Sequence, residues 1–467
     1  MKKMYIYLLM MTLFSMGIVV MLYIGYLNSG SLANLSFEFM SENGVFNDLK
    51  LLVINQFHHP LALLLSQIII IMIATRIFGF IATKVLLPIV VGEIIAGIVL
   101  GPSVVGSMFP AFSETLFPKT SLGNLSMISQ LGLVFFMFVV GMELDWDSLK
   151  SKTKESVVIS HSSILFPFFL GVGLSLFLYS SFAPQNISFI PFALFMGIAM
   201  SITAFPVLAK IVKERNISNT SYGAMSLTCA AADDATGWYI LAIIIAISSS
   251  VSLGASALSL GLIVAYMLIM IYIVKPFLAW LANKYKDEKT LDMSMVAIVL
   301  TILLLSSLAT EIIGIHALFG AFIAGVVMPS NKESKIRESL IPKLEYVSVL
   351  VLLPLFFALT GLRTQIGLME TPYHWYICFI IILVAIAGKL FGAAISSKFM
   401  GFSWADSFRV GALMNTRGLM ELIVLNIGFE LGILSAELFA MFVIMALVTT
   451  AMTGPLLHLI DKVSKKA

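Results

Sequence analysis

Two adjacent carboxylates, Asp233 and Asp234, stand near the middle of "LTCAAADDATGWYILAI" (227–243), a stretch otherwise made for hydrocarbon. Ionisable side chains at such depth are costly and rare, so each is a functional candidate. Neighbours on a helix point about 100° apart, which sends the two acids to different partners. One faces a cation path while the other meets a neighbouring helix. Carboxylates sharing a partly desolvated site titrate as a coupled pair, and a group poised between its two forms holds either a proton or a small cation. That competition is the least chemistry that exchange requires.

Lys389, within "AIAGKLFGAAI" (385–395), is the expected counter-charge. A buried ammonium is expensive unless paired, and about ten apolar residues on either side leave it too deep to snorkel. Arg417 and Glu421 are spaced i, i+4, the geometry of an in-helix salt bridge; Arg417 is also placed to close a cavity electrostatically. Glu93, in "LPIVVGEIIAGIVLGPS" (87–103), reads either as a structural partner of that cluster or as a lining residue. His316, in "GIHALFGAFIAGVVMP" (314–329), lies near the outer end of its span and reads as a satisfied histidine.

Two interrupted helices are expected around these charges. In "MSITAFPVLAK" (200–210), Pro206 removes a helical N–H and blocks a carbonyl one turn back. Ser201 and Thr203 beside it offer hydroxyl oxygens, the hard ligands that small monovalent cations favour. In "GALMNTRGLMEL" (411–422), Asn415, Thr416, Arg417 and Gly418 cluster at membrane depth. Broken backbone at that depth survives only when buried in protein or facing water, so both segments point to a cavity, with half-helix ends aiming dipoles at it.

The elements that must position these groups follow from composition. Of 467 residues 60% are hydrophobic and 11% charged, and the mean hydropathy of +1.03 marks a polytopic, all-α membrane protein. Net charge of +3 supports no nucleic-acid partner. Cys229 and Cys378 fall in apolar segments and read as buried thiols, not a disulfide. Windows of about 20 apolar residues give an N-terminal candidate at 4–26 and thirteen further spans. These lie near 61–83, 87–101, 124–144, 157–181, 189–212, 222–248, 256–280, 291–310, 314–329, 345–366, 374–397, 405–429 and 436–459. Alternating the loops across the membrane gathers the basic clusters on one side and leaves Lys50, Lys119 and Arg363 on the other. The first side, which holds both chain ends, is therefore cytoplasmic.

Segment 1–26 is either an extra span or a signal peptide, and 27–60 an external loop; together 1–60 form one N-terminal unit. The transport domain is 61–460: repeat one at 61–248, a linker helix at 256–280 and repeat two at 291–460, with a cytoplasmic tail at 461–467. The repeats hold six spans each and start on opposite sides, the arithmetic of an inverted-topology transporter with its site at the midplane.

"GEIIAGIVLGPS" (92–103), "LGLVFFMFVVGMELD" (131–145), "SITAFPVLAKIV" (201–212), "CAAADDATGW" (229–238), "GIHALFGAFIAGVVMP" (314–329) and "NTRGLMELIVLNIG" (415–428) together resemble the cation:proton antiporter-2 family. The resemblance covers roughly 85–460. It implies a thirteen-helix exchanger of sodium or potassium for protons, with two crossing broken helices, a core and a dimerisation domain, elevator-like alternating access and a homodimer in the cell membrane. By motif, Asp234 resembles the family's ion-binding aspartate, with Thr203 as the broken-helix threonine on the same cation. Asp233 resembles the preceding acid and Lys389 its basic partner, a combination that accompanies electrogenic exchange. Sodium is the expected cation, potassium the alternative; no cofactor is implied. A channel or sensor on the same fold is the rival reading. An intramembrane aspartyl protease is disfavoured, because its two acids must face one bond from two helices and the GxGD motif is missing.

Overall fold

A computed structural model of the chain describes residues 59–85, 87–118, 120–143, 154–218, 220–248, 253–284, 293–329 and 336–464. The chain divides into two compact units, Met1–Ala62 and Leu63–Ala467. The expected N-terminal helix or signal peptide and the loop after it lie outside the described residues.

Every regular element described is helical. In chain order they are α1 (Pro60–Lys84), α2 (Ile89–Leu100), two short helices α3 (Val105–Met108) and α4 (Pro110–Leu116), α5 (Leu122–Glu143), α6 (Lys154–Phe182), α7 (Phe189–Ala199), α8 (Phe205–Glu214) and α9 (Ser221–Ser248). There follow α10 (Leu253–Ile269), α11 (Lys275–Lys284), α12 (Met293–Ile313), α13 (Ala317–Val326), α14 (Ile336–Val347), α15 (Leu353–Arg363), α16 (Pro372–Phe399), α17 (Trp404–Met414), α18 (Leu419–Glu430) and α19 (Ala436–Ser464). Ten stretches among the described residues are long and apolar enough to cross a membrane.

Two expected spans are each divided. The span near 189–212 becomes α7 and α8, and the span near 405–429 becomes α17 and α18. The first break is Met200–Ala204, so Pro206 is the second residue of the helix that follows it, a position where a missing N–H costs nothing. Proline explains two further irregularities. Single π-helical turns at Met270–Val274 and Ser348–Leu352 end two residues before Pro276 and Pro354. Proline leaves the carbonyl four residues back without its donor; at Leu350 that carbonyl takes a hydrogen bond from Arg76 Nη2 at 3.0 Å.

Helix contacts sort into two bundles. In one, α2 packs on α15, and α13 on both α5 and α12. The crossings are backbone to backbone at paired glycines. A Cβ on Gly97 would lie 2.1 Å from the Ala358 carbonyl oxygen and one on Gly361 2.3 Å from that of Ile94. Gly141 and Gly325 are related in the same way, against Phe322 and Phe138 at 2.2 and 2.1 Å. Small residues allow this approach where no hydrophobic force drives helices together. In the second bundle α6 packs on α16, α7 and α9, and α17 packs on α16, α9 and α19. This bundle holds both breaks and both aspartates.

Candidate functional site

The two breaks meet. The Ala204 N–H, past the end of α7, donates to the Thr416 carbonyl past the end of α17 at 3.1 Å. Gly418 enters α18 at φ +149°, a conformation open in practice only to glycine. The last carbonyls of α7 face the Arg417 guanidinium, whose Nη1 and Nη2 donate to Ala199 at 2.9 Å and Met200 at 2.7 Å. Arg417 therefore neutralises a helix C-terminus as well as making the expected i, i+4 bridge to Glu421 at 3.0 Å.

Helix α9 carries Asp233 and Asp234 between the breaks. Asp233 is fully exposed to protein and not at all to solvent. It accepts from Ser160 at 2.7 Å, Ser163 at 2.5 Å, Thr203 at 3.0 Å and Lys389 Nζ at 3.0 Å. The Lys389 ammonium also donates to the Thr203 hydroxyl at 2.6 Å and Ser163 at 3.3 Å. Its three protons thus have three acceptors, the condition under which so deep a charge is tolerable. Thr203 donates its own O–H to Asp233 or to the Met414 carbonyl at 3.2 Å.

Asp234 has the opposite surroundings. It is 2% exposed, yet neither carboxylate oxygen has a hydrogen-bond partner. Phe205, the first residue of α8, brings its backbone N–H and the positive end of that helix to this side of the carboxylate. The side-chain amide of Asn415, Nε of Arg417 and Oε1 of Glu421 are likewise buried and unpartnered. Buried polar atoms are nearly always satisfied. A buried carboxylate with neither oxygen satisfied marks a place where a proton or a hard cation completes the coordination.

The structure redraws several expectations. Ser201 hydrogen-bonds the Gly197 and Ile164 carbonyls at 2.7 and 3.0 Å, so its hydroxyl serves the end of α7 and its contact with α6. Thr203 bonds to the Asp233 and Lys389 pair, not to Asp234. The expected cavity is closed: Ser201, Thr203, Asn415, Thr416 and Arg417 are all sealed from solvent. Thr416 reaches Thr453 of α19. Glu93 is buried in α2, in the other bundle. His316 caps α13, accepting from the Leu318 N–H at 3.4 Å with φ at +100°, and is thus a satisfied histidine. Ser160 and Ser163 escaped the sequence reading, although Ser156, Ser160 and Ser163 in "KESVVISHSS" (154–163) form a polar stripe at helical spacing.

The family model described as "Sodium/hydrogen exchanger, transmembrane" matches residues 68–460. The chain belongs to the sodium/hydrogen exchanger family. This exchanger is 43% identical to the Na(+)/H(+) antiporter NhaS4 of Synechocystis over 85% of its own length and 97% of the relative's. It is 39% identical to Cation/H(+) antiporter 17 of Arabidopsis thaliana over 91% of its length and 51% of that chain. It is 32% identical to K(+)/H(+) antiporter 1 of Saccharomyces cerevisiae over 87% and 48% respectively. The exchanger thus spans nearly all of the cyanobacterial relative and about half of the plant and yeast ones. Its fold matches the solved structure of the sodium proton antiporter MjNhaP1 from Methanocaldococcus jannaschii, with a TM-score of 0.58 at 16% identity over 85% of this chain and 96% of that one.

Proposed function

We propose that this exchanger is a secondary transporter that moves a monovalent cation across a membrane against protons. Asp234 is the carboxylate for which the two compete. The observation that carries the reading is the contrast within the acidic pair: Asp233 is saturated by two serines, a threonine and Lys389, whereas Asp234 is buried with both oxygens free. A bound proton or a partly dehydrated cation satisfies that carboxylate, and both together do not. Asn415, beside the second break, supplies a further oxygen. The opposed ends of α7, α8, α17 and α18 supply backbone dipoles.

Around this site we place thirteen membrane spans in two inverted repeats, the bundle with the breaks moving against the other, in a homodimer of the cell membrane with the C-terminus in the cytoplasm. Positive loop charge supports that orientation, and the split of the helices into two bundles supports the relative movement. Sodium is the favoured cation, after the cyanobacterial relative's name; potassium is the second candidate, after the yeast one. Lys389, paired with Asp233, supports electrogenic exchange.

Protein reconstituted into liposomes with a preset pH gradient tests this. Addition of sodium or potassium dissipates the gradient and the rate follows membrane potential. A cation flux that needs no counter-movement of protons would replace the antiporter with a channel, and exchange indifferent to potential would remove the electrogenic part.

A further inference from the structure

A polar network joins the two bundles where α15 and α18 end, at Arg363 and Glu430; the loop-charge pattern assigns Arg363 to the outer side. Arg363, the last residue of α15, donates through Nη1 to Glu430 at 2.8 Å and Asn426 at 2.9 Å, and through Nη2 to Ser126 of α5 at 3.2 Å. Gln130 of α5 reaches the same Glu430 carboxylate at 3.1 and 3.2 Å. Asn426 returns a hydrogen bond to Thr360 of α15 at 2.8 Å. Asn426 and Glu430 belong to α18, the half-helix that begins at the break and carries Glu421 in its first turn; Ser126, Gln130, Thr360 and Arg363 belong to the opposite bundle. Backbone packing between α18 and α15 is slight compared with the glycine crossings inside that bundle. The two helices meet through side chains, buried apolar ones along their length and this polar network at their ends. The network is not sealed: Arg363 is 21% and Glu430 31% exposed, so water can replace each bond as it breaks.

We propose that Arg363, Gln130, Asn426 and Glu430 form an outer latch, which holds the site-bearing bundle against the static one, shuts the outer approach to Asp234, and comes apart once per transport cycle. The proposal rests on the antiport reading above. A partly exposed ion pair with neutral partners suits the task. It is strong enough to bias an equilibrium between two states and too weak to lock it. The chemistry at Asp234 does not use these residues, so they set which face the site opens to, not what it binds.

The test joins Gln130→Cys to Glu430→Cys in one chain. The native Cys229 and Cys378 are 0% and 2% exposed and shielded from reagent. Reconstituted protein is treated with a bifunctional maleimide, or with a monofunctional one of the same chemistry. The latch predicts that the untreated and singly capped proteins exchange cation for protons and that the cross-linked protein does not. Exchange that survives cross-linking overturns it, as does a block that the monofunctional reagent also produces. Glu430→Gln is the second variant. It lowers the half-saturating cation concentration at the outer face relative to the inner by up to about fivefold while exchange continues. An unchanged ratio, or folded protein that no longer exchanges, shows a mere structural tie. Wild-type protein in the same liposomes separates the two readings: if it exchanges nothing, antiport itself has failed.

Discussion

Replacing Lys389 by methionine removes the ammonium from a pair in which both side chains are 0% exposed and 3.0 Å apart. Asp233 then keeps its hydroxyl donors but stands as an uncompensated charge in the protein interior. Breaking such a pair from one side costs about 3–5 kcal/mol, a shift of roughly a hundredfold to a few thousandfold in the folding equilibrium. Asp233→Asn strands the ammonium and destabilises by a similar amount. The double variant removes both charges, and its loss is smaller than either single one, because a neutral asparagine still accepts from Ser160, Ser163 and Thr203. The assay is thermal unfolding of the purified protein for all four members of the cycle, and the signature is a coupling of several kcal/mol. Additive losses, or single variants as stable as wild type, would refute the picture of a mutually compensating buried pair.

Two further substitutions separate roles that the sequence left merged. Thr203→Val takes an acceptor from Lys389 and a donor from Asp233, costing about 1–3 kcal/mol and slowing exchange; Ser201→Ala removes a backbone-directed hydroxyl and leaves cation affinity in the same transport assay unchanged. Gly141→Ala forces a methyl to within 2.2 Å of the Phe322 oxygen and lowers the unfolding temperature by an overpacking cost of about 1–3 kcal/mol. Gly173→Ala, whose Cβ meets nothing within 4 Å, leaves that temperature where it was or raises it.

The sequence announced the membrane helices, the two interruptions and a counter-charge for one of the two acids, because each breaks a strong local rule. Apolar windows are long, proline lacks a donor, and charge in hydrocarbon demands a reason. What it concealed depends on distances between segments far apart in the chain. The serines at 160 and 163 look like ordinary helix residues until α6 is laid against α9 and α16. Arg417 has a partner four residues on, which hides its grip on the Ala199 and Met200 carbonyls more than two hundred positions away. Ser201 and Thr203 are two residues apart on an irregular segment, yet one turns to backbone and the other to the ion pair. Arg363 was legible only as a stray positive charge on the outer side; its network with Glu430 and Gln130 exists only through packing of three helices.

The most direct measurement of the central claim is the proton release that accompanies cation binding, followed with a pH indicator in weakly buffered purified protein. Wild type releases protons when sodium or potassium is added, because cation and proton compete for the Asp234 carboxylate. Asp234→Asn releases none and binds no cation. Undiminished proton release from Asp234→Asn would contradict the account and move the exchange site elsewhere.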